Sequence, residues 1–324
     1  MTARPKVIVT RRLPAAVEQD LQKDFEVVLN ATDTDLGAEG LKRALQEADA
    51  VLTTVTDKVT AEVLGVTPRR AQIIAQFGVG FNNIDVPAAK ANGILVTNTP
   101  DVLTDATADT AITLLLMTAR RAGEGERHVR AKAWTGWRPT HMLGTHVTGK
   151  NLGLIGMGRI ARAVAKRAHH GFGMKVIFTD PYPPKPEEAA ALGAEPRDSI
   201  EAVLREADFV SLHCPATPET RHLMNAERLR QMPKHAYLIN TARGDVVDEA
   251  ALVTALREGV IMGAGLDVFE KEPTVTEALL DMENVVLLPH LGSATTETRV
   301  AMGMRALENL RLHFSGQPLR DRVA

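Results

Sequence analysis

Short β-branched runs bounded by Gly, Pro or Asp recur through the first hundred positions: Val7–Val9, Val27–Leu29, Ala50–Leu52, Ile73–Ile74 and Ile94–Val96. Helical patterns separate them, and strand alternating with helix at this interval predicts βαβ units on a parallel sheet. From Thr104 the period changes. Ile112, Leu115, Leu116 and Ala119 fall at i, i+3, i+4 and i+7, with Asp105 and Asp109 early and Arg120–Arg121 at the end, where their charges complement a helix dipole. This long helix reads as the bridge to a second domain. A Gly-, Trp- and Pro-bearing stretch, Trp134–Gly149, follows it. A second βα series then opens at Leu152–Ile155, with further strands expected near Val176–Phe178, Phe209–Leu212, Ala236–Ile239, Gly263–Val268 and Val285–Leu288. The last helical pattern, Val300, Met304 and Leu307, has no strand beside it in its own series and should dock back on the first domain.

Composition narrows the classes. A chain of 324 residues has room for two domains, at the usual size of roughly 150 residues each. With 44% hydrophobic and 24% charged residues it reads as an ordinary globular protein without long disorder. A net charge of −2 and 4% aromatic residues supply neither a basic footprint nor many stacking platforms, so no nucleic-acid partner is expected. The single cysteine, Cys214, rules out an internal disulfide framework and favours a reducing compartment. The apolar run near the N-terminus is too short for a signal segment, and no stretch reaches the ~18 apolar residues of a membrane helix. These features lead to the expectation of a cytoplasmic enzyme without a membrane partner.

Gly156-x-Gly158-x-x-Ala161 follows a predicted strand and opens a predicted helix. In that context Gly156 permits the tight turn, Gly158 admits backbone N–H groups to a pyrophosphate, and the small residue at 161 lets helix and strand pack closely. Arg159 should lie over the phosphates, beside Ile160 in the first helical turn. Asp180 ends the next strand, at the distance where a carboxylate accepts from the ribose hydroxyls of NAD and repels the 2′-phosphate of NADP. NAD(H) is therefore expected over NADP(H). Gly144–Asn151 superficially matches a Walker A loop, but Asn151 stands where Ser or Thr must bind Mg²⁺, and the segment precedes a strand.

Ligands of open α/β sheets bind beyond the carboxyl ends of the strands, which singles out Arg243, Glu272 and His290. A histidine exchanges protons with a substrate oxygen near neutral pH, a carboxylate partner stabilises its protonated form, and an arginine grips a carboxylate or polarises a carbonyl. The segments Gly156–Ala161, Asn240–Asp248, Gly263–Pro273 (with Asp267 and Glu272) and Pro289–Thr295 resemble the signature segments of the D-isomer-specific 2-hydroxyacid dehydrogenases over nearly the whole chain. Gln76–Asp85 resembles that family's substrate loop, and Thr99–Thr107 is similar to its glyoxylate/hydroxypyruvate reductase branch. Ala161, in place of the commoner third glycine, is a tolerated departure.

The resemblance implies that the N–H groups of Val79 and Gly80 hold the substrate carboxylate, that Arg243 binds carboxylate and carbonyl, and that Glu272 and His290 form the acid–base pair. It implies an α/β fold in which a Rossmann-type doubly wound parallel-sheet cofactor domain, residues 103–292, is inserted into a smaller flavodoxin-like α/β substrate domain, residues 1–102 plus 293–324. A homodimer is expected, with Trp137, or else Trp134, reaching the neighbour's pocket. Cys214 and Asp267 are expected near the cofactor. The expected reaction is NADH-dependent reduction of glyoxylate or hydroxypyruvate, with D-lactate or another D-2-hydroxyacid as the alternative. A binding protein that senses NADH is the rival from another class; its usual extensions are not expected after Ala324, nor is the regulatory extension of the long phosphoglycerate dehydrogenases. The histidines show no metal-ligand spacing, so no metal is expected, and Cys214 beside His213 reads as packing at a strand end, not as a nucleophile.

Overall fold

The parallel strands of both series are short and apolar on both faces because helices cover each side of the sheet they form. The structure, a computed structural model, describes residues 4–324. The first series runs β1 (Lys6–Val9), α1 (Ala15–Asp24), β2 (Glu26–Val28), α2 (Gly37–Glu47), β3 (Ala50–Thr54), α3 (Ala61–Leu64), β4 (Ile73–Phe77), α4 (Val86–Ala91) and β5 (Leu95–Thr97). Its strands form one parallel sheet in the order β2-β1-β3-β4-β5. β4, buried at every residue, lies beside β3 with Leu52 opposite Ala75.

Two helices follow, α5 (Thr104–Ala119) and α6 (Ala122–Arg130). The helical pattern was expected to run through Arg120–Arg121, but α5 ends at Ala119, because its terminal carbonyl is taken by the Thr145 N–H at 2.7 Å. Arg121, at φ +53°, then starts α6, a helix without a buried residue that the hydrophobic pattern does not announce. The second series comprises β6 (Asn151–Ile155), α7 (Arg159–Phe172), β7 (Lys175–Thr179), α8 (Pro186–Ala191), β8 (Ala194–Pro196), α9 (Ile200–Glu206), β9 (Phe209–Leu212), α10 (Ala226–Leu229) and β10 (Tyr237–Asn240). It continues with α11 (Glu249–Arg257), β11 (Gly263–Leu266), α12 (Glu277–Leu280) and β12 (Val285–Leu287). Its seven strands form a parallel sheet in the order β12-β11-β10-β9-β6-β7-β8.

α5 and α7 lie against one face of this second sheet, where Leu114, Leu115, Leu154, Val164, Phe178 and Phe209 share a core. The other face meets α9 and α11 through Val203, Leu204, Leu252 and Leu256. Close approach is specific: a Cβ on Gly153 would come within 2.6 Å of Val203 and 2.8 Å of Ala207. The final helix, α13 (Thr296–Phe314), begins at Thr295, whose hydroxyl accepts the Thr298 N–H at 3.1 Å, a capping geometry. It packs on α1, where a Cβ on Gly303 would lie 2.5 Å from Val17, and the Phe25 and Phe314 rings stand 5.6 Å apart. Two compact units result: the chain up to Leu103 with Ala294–Ala324, and Thr104–Ser293. Among the described residues no helix is long and apolar enough to cross a membrane.

Candidate active site

Strand order in the second sheet reverses between β6 and β9, so the loops leaving these two strands diverge and open a crevice. Gly156, directly after β6, has φ +92°, which glycine adopts without steric cost. Space is equally restrictive, since a Cβ there would lie 2.9 Å from Cys214 N and from the His213 carbonyl carbon. The His213 N–H donates to Ile155 O at 2.8 Å, holding the two strand ends together.

Gly158 caps α7 with no side-chain hydrogen bond, the first turn holds no acidic residue, and a Cβ on Gly158 would meet nothing within 4 Å. Arg159 and Ile160 stand in the first turn of α7, the end of a helix that carries positive potential and N–H groups without an intrahelical acceptor. That is the chemistry a pyrophosphate needs. Asp180 borders the same loop: Oδ2 accepts the Met157 N–H at 2.6 Å and Oδ1 the Tyr182 N–H at 2.7 Å. Burial pushes the Cys214 thiol up to about 11 and the His213 imidazole down to about 4, so neither forms a thiolate–imidazolium pair. His213 instead meets Ser211 Oγ at 2.9 Å.

Arg243, Glu272 and His290 follow β10, β11 and β12, three adjacent strands. Asn240 shapes the first of these loops, accepting the Ala242 N–H at 3.0 Å and donating to Arg243 O at 2.8 Å. Arg243 Nη1 donates to Ala242 O at 2.7 Å. Burial pulls the Arg243 guanidinium below the usual arginine range, against the opposing charges of Glu272 and Asp245. His290 Nδ1 lies 2.9 Å from Glu272 Oε2, and Glu272 Oε1 accepts the Phe269 N–H at 3.0 Å. Burial raises the Glu272 carboxyl, but the His290 hydrogen bond and charge, the Phe269 N–H and Arg243 outweigh it and hold the carboxyl below the ordinary glutamate range. Asp267 stands behind His290, accepting the N–H groups of Leu291 at 2.6 Å and Gly292 at 2.8 Å. Thr241, which sequence reasoning did not single out, directly follows β10 with a buried hydroxyl that has no hydrogen-bond partner among the described residues.

Val79 and Gly80 lie in the first unit, after β4. Their carbonyls are tied back, Val79 O to Asn98 Nδ2 at 2.8 Å and Gly80 O to Gln76 Nε2 at 3.2 Å. Gln76 is itself fixed by Thr53 Oγ1 at 2.7 Å and Asn83 Oδ1 at 2.9 Å. Gln76 and Asn98 thus shape the loop, a role that spacing along the chain does not reveal. Trp134 and Trp137 stand after α6, 55% and 82% exposed.

The family profile described as "D-isomer specific 2-hydroxyacid dehydrogenase, NAD binding domain" matches residues 112–292. The chain is 46% identical over 318 residues to a glyoxylate reductase of Thermococcus kodakarensis, covering 97% of this chain and 94% of the relative. A glyoxylate reductase of Thermococcus litoralis is 47% identical over 318 residues, covering 97% and 95%. Among solved structures, an NADPH-dependent glyoxylate/hydroxypyruvate reductase from Sinorhizobium meliloti, in complex with NADP and malonate, aligns with TM-score 0.88 and 37% identity over 99% of this chain and 97% of its own.

Proposed function

The chain belongs to the D-isomer-specific 2-hydroxyacid dehydrogenases, and from that premise we propose that it reduces glyoxylate, and hydroxypyruvate with it, to the corresponding 2-hydroxyacid. The carrying observation is the 2.9 Å contact between His290 Nδ1 and Glu272 Oε2, on the loops after adjacent strands. It spends one ring nitrogen on the carboxylate and leaves Nε2 to deliver a proton to the substrate oxygen. In the reverse direction the same nitrogen takes the proton away.

Gly156, Gly158, Arg159, Ile160 and Asp180 would hold a nicotinamide cofactor, flanked by Cys214 and Asp267, and when bound it would supply hydride for the carbonyl carbon. Arg243 binds the substrate carboxylate and polarises the carbonyl, and the N–H groups of Val79 and Gly80 take the remaining carboxylate oxygen. Substrate binding is accordingly assigned to residues 1–102 with 293–324 and cofactor binding to 103–292. NADH is preferred over NADPH because Asp180 puts a negative charge at the end of β7, beside the glycine loop. The protein works as a homodimer, and Trp137 contributes to the neighbouring subunit's pocket.

Loss of NADH absorbance measured with glyoxylate, hydroxypyruvate, pyruvate and phenylglyoxylate, each repeated with NADPH, tests this reading. The phenylglyoxylate arm is included because a D-mandelate dehydrogenase of Rhodotorula graminis aligns with TM-score 0.88 at 30% identity. Turnover confined to a bulky 2-oxo acid would replace the substrate assignment, and no turnover with any of the four would remove it.

A further inference from the structure

Glu272 reaches His290 from an irregular loop between β11 and α12, whose internal ties are local: the bridge between Lys271 and Thr274 and the Phe269 N–H on Glu272 Oε1. Its support comes from α11. Glu249, the first residue of that helix, is only 5% exposed, and its two carboxylate oxygens go to loop positions on either side of Glu272. Oε1 accepts the Glu270 N–H at 2.7 Å, and Oε2 accepts the Thr276 hydroxyl in a short hydrogen bond. Glu270 follows directly on Phe269, whose own N–H donates to Glu272 Oε1 at 3.0 Å.

Two further contacts join the same place. His222 Nε2 meets Glu270 Oε1 at 2.9 Å. Gly244, next to Arg243, lies so close to the Phe269–Glu270 peptide that a Cβ would overlap it. The Arg243 turn and the Glu272 loop are therefore packed back to back.

A buried carboxylate is costly unless its lone pairs are satisfied. Glu249 has no cation within ion-pair distance among the described residues; the two loop donors and the positive end of α11 are what compensate it. A residue kept only for helix stability would do as well with a capping side chain, a role Asp248 already fills through the Ala251 N–H at 3.0 Å. The arrangement is explained if the charge serves the loop.

We propose that Glu249 is a positioning residue for the acid–base pair: by tying Glu270 to Thr276 it holds Glu272 against His290. This rests on the reading of Glu272 and His290 as that pair. The charged groups facing the pair are Asp267 behind His290 and Arg243 beside Glu272, and His222 faces Glu270.

The test compares pH profiles of kcat/KM for glyoxylate reduction in the wild type, Glu272→Gln, Glu249→Met, Glu249→Gln and Thr276→Val. Methionine keeps the length of the side chain and removes both acceptors. Glutamine keeps one acceptor for the Glu270 N–H, and its amide can donate to Thr276 Oγ1, which then accepts. Glu249→Met is expected to displace the alkaline limb to lower pH, in the same direction as Glu272→Gln, and to lower kcat by roughly tenfold, a fraction of what general acid catalysis contributes. Glu249→Gln should restore most of both effects, and the Kd for NADH should stay within about twofold throughout, since Glu249 is no part of the cofactor crevice. If Glu249→Met does not fold, Thr276→Val, which removes a single donor, must shift the limb in the same direction. A limb that moves in Glu272→Gln but stays in place in Glu249→Met or Thr276→Val, with activity scaled equally at every pH, overturns the inference alone. A limb unmoved in Glu272→Gln overturns the acid–base reading, and the inference falls with it.

Discussion

The backbone carbonyl of Asp267 accepts the N–H of His290 at 2.9 Å, while its carboxylate holds the two residues that follow. His290 sits at φ +56°, a left-handed conformation that a non-glycine residue adopts only when its surroundings impose it. Burial pushes the Asp267 carboxyl above the ordinary aspartate range, against the pull of the Leu291 and Gly292 N–H groups and the charge of His290. Asp267→Asn would turn one of the two acceptor oxygens into a donor facing an N–H. We expect the imidazole to lose its fixed aim and kcat to fall by roughly 10- to 100-fold, corresponding to about 1.4–2.7 kcal/mol of transition-state stabilisation. Wild-type kcat in Asp267→Asn would show that the turn holds His290 without the carboxylate.

Glu272 and His290 form a contact pair. Burial raises the Glu272 carboxyl, and the hydrogen bond and charge of His290 outweigh it and hold the carboxyl below its ordinary range. Reduction requires the protonated imidazole and is lost at alkaline pH. Glu272→Gln removes the carboxylate that faces the ring and should therefore move that alkaline limb to lower pH, by a modest amount because both side chains are about one-third exposed and solvent screens the pair. A limb that stayed in place would separate Glu272 from the proton transfer.

Much of this site is legible in the sequence, for identifiable reasons. Strands such as Ile73–Phe77 and Phe209–Leu212 are buried on both faces and so appear as mainly apolar runs, interrupted by Gln76 and Ser211, and Arg243, Glu272 and His290 are conspicuous because each follows a run of this kind. α6 is missed because it buries nothing and carries no apolar stripe. β8 is missed because its three residues include one buried position and a proline, the composition of a sheet edge. Glu249 is invisible for another reason: its partners lie 21 and 27 residues away, and no spacing rule connects a helix start to the far side of a later loop.

In the first unit the last residues are anchored by a buried ion pair. Arg305 Nε meets Asp321 Oδ2 at 2.5 Å, Asn309 Nδ2 donates to the same oxygen at 2.9 Å, and the two charged side chains are 10% and 4% exposed. Burial raises the Asp321 carboxyl, but the bonds from Arg305 and Asn309 bring it below the ordinary aspartate range. For a carboxyl depressed in the folded state, the stabilisation is complete above the unfolded-state value and disappears as pH falls through the folded one. Asp321→Asn leaves the Arg305 charge buried and should cost about 3–5 kcal/mol, lowering Tm by on the order of 10 °C near neutral pH. The difference from wild type should shrink as the pH is taken below about 4. A Tm difference that stayed constant into acid would contradict the ionic account.

The exposed side chains Val129, Trp134, Trp137 and Leu143 fall within fifteen positions of one another on α6 and the segment after it. On the proposed reading these side chains belong to the contact with a second copy of the chain. Light scattering at micromolar concentration should give twice the chain mass, and Trp137→Ala should alter the KM for the substrate if the ring reaches the neighbouring pocket. The mass of one chain would refute the dimer, and an unchanged KM would confine Trp137 to the subunit contact.

On the proposed reading, cofactor choice turns on Asp180. Its two oxygens accept the Met157 and Tyr182 N–H groups, so the carboxylate is fixed at the end of β7 and cannot swing aside without abandoning both bonds. A 2′-phosphate brought within about 4 Å of it, at an effective dielectric near 20, meets roughly 4 kcal/mol of repulsion per unit charge before screening. Arg159 at the start of α7 and Lys185 before α8 could offset part of this, although Lys185 is a single mobile cation at the helix edge. Discounted several-fold for partial exposure, the repulsion still corresponds to at least about tenfold in kcat/KM in favour of NADH. Asp180→Ala should raise NADPH use while weakening NADH, through loss of the ribose acceptor. Equal efficiency with the two cofactors in the wild type, or no gain with NADPH in the variant, would mean that the cations near the loop and not Asp180 decide the preference.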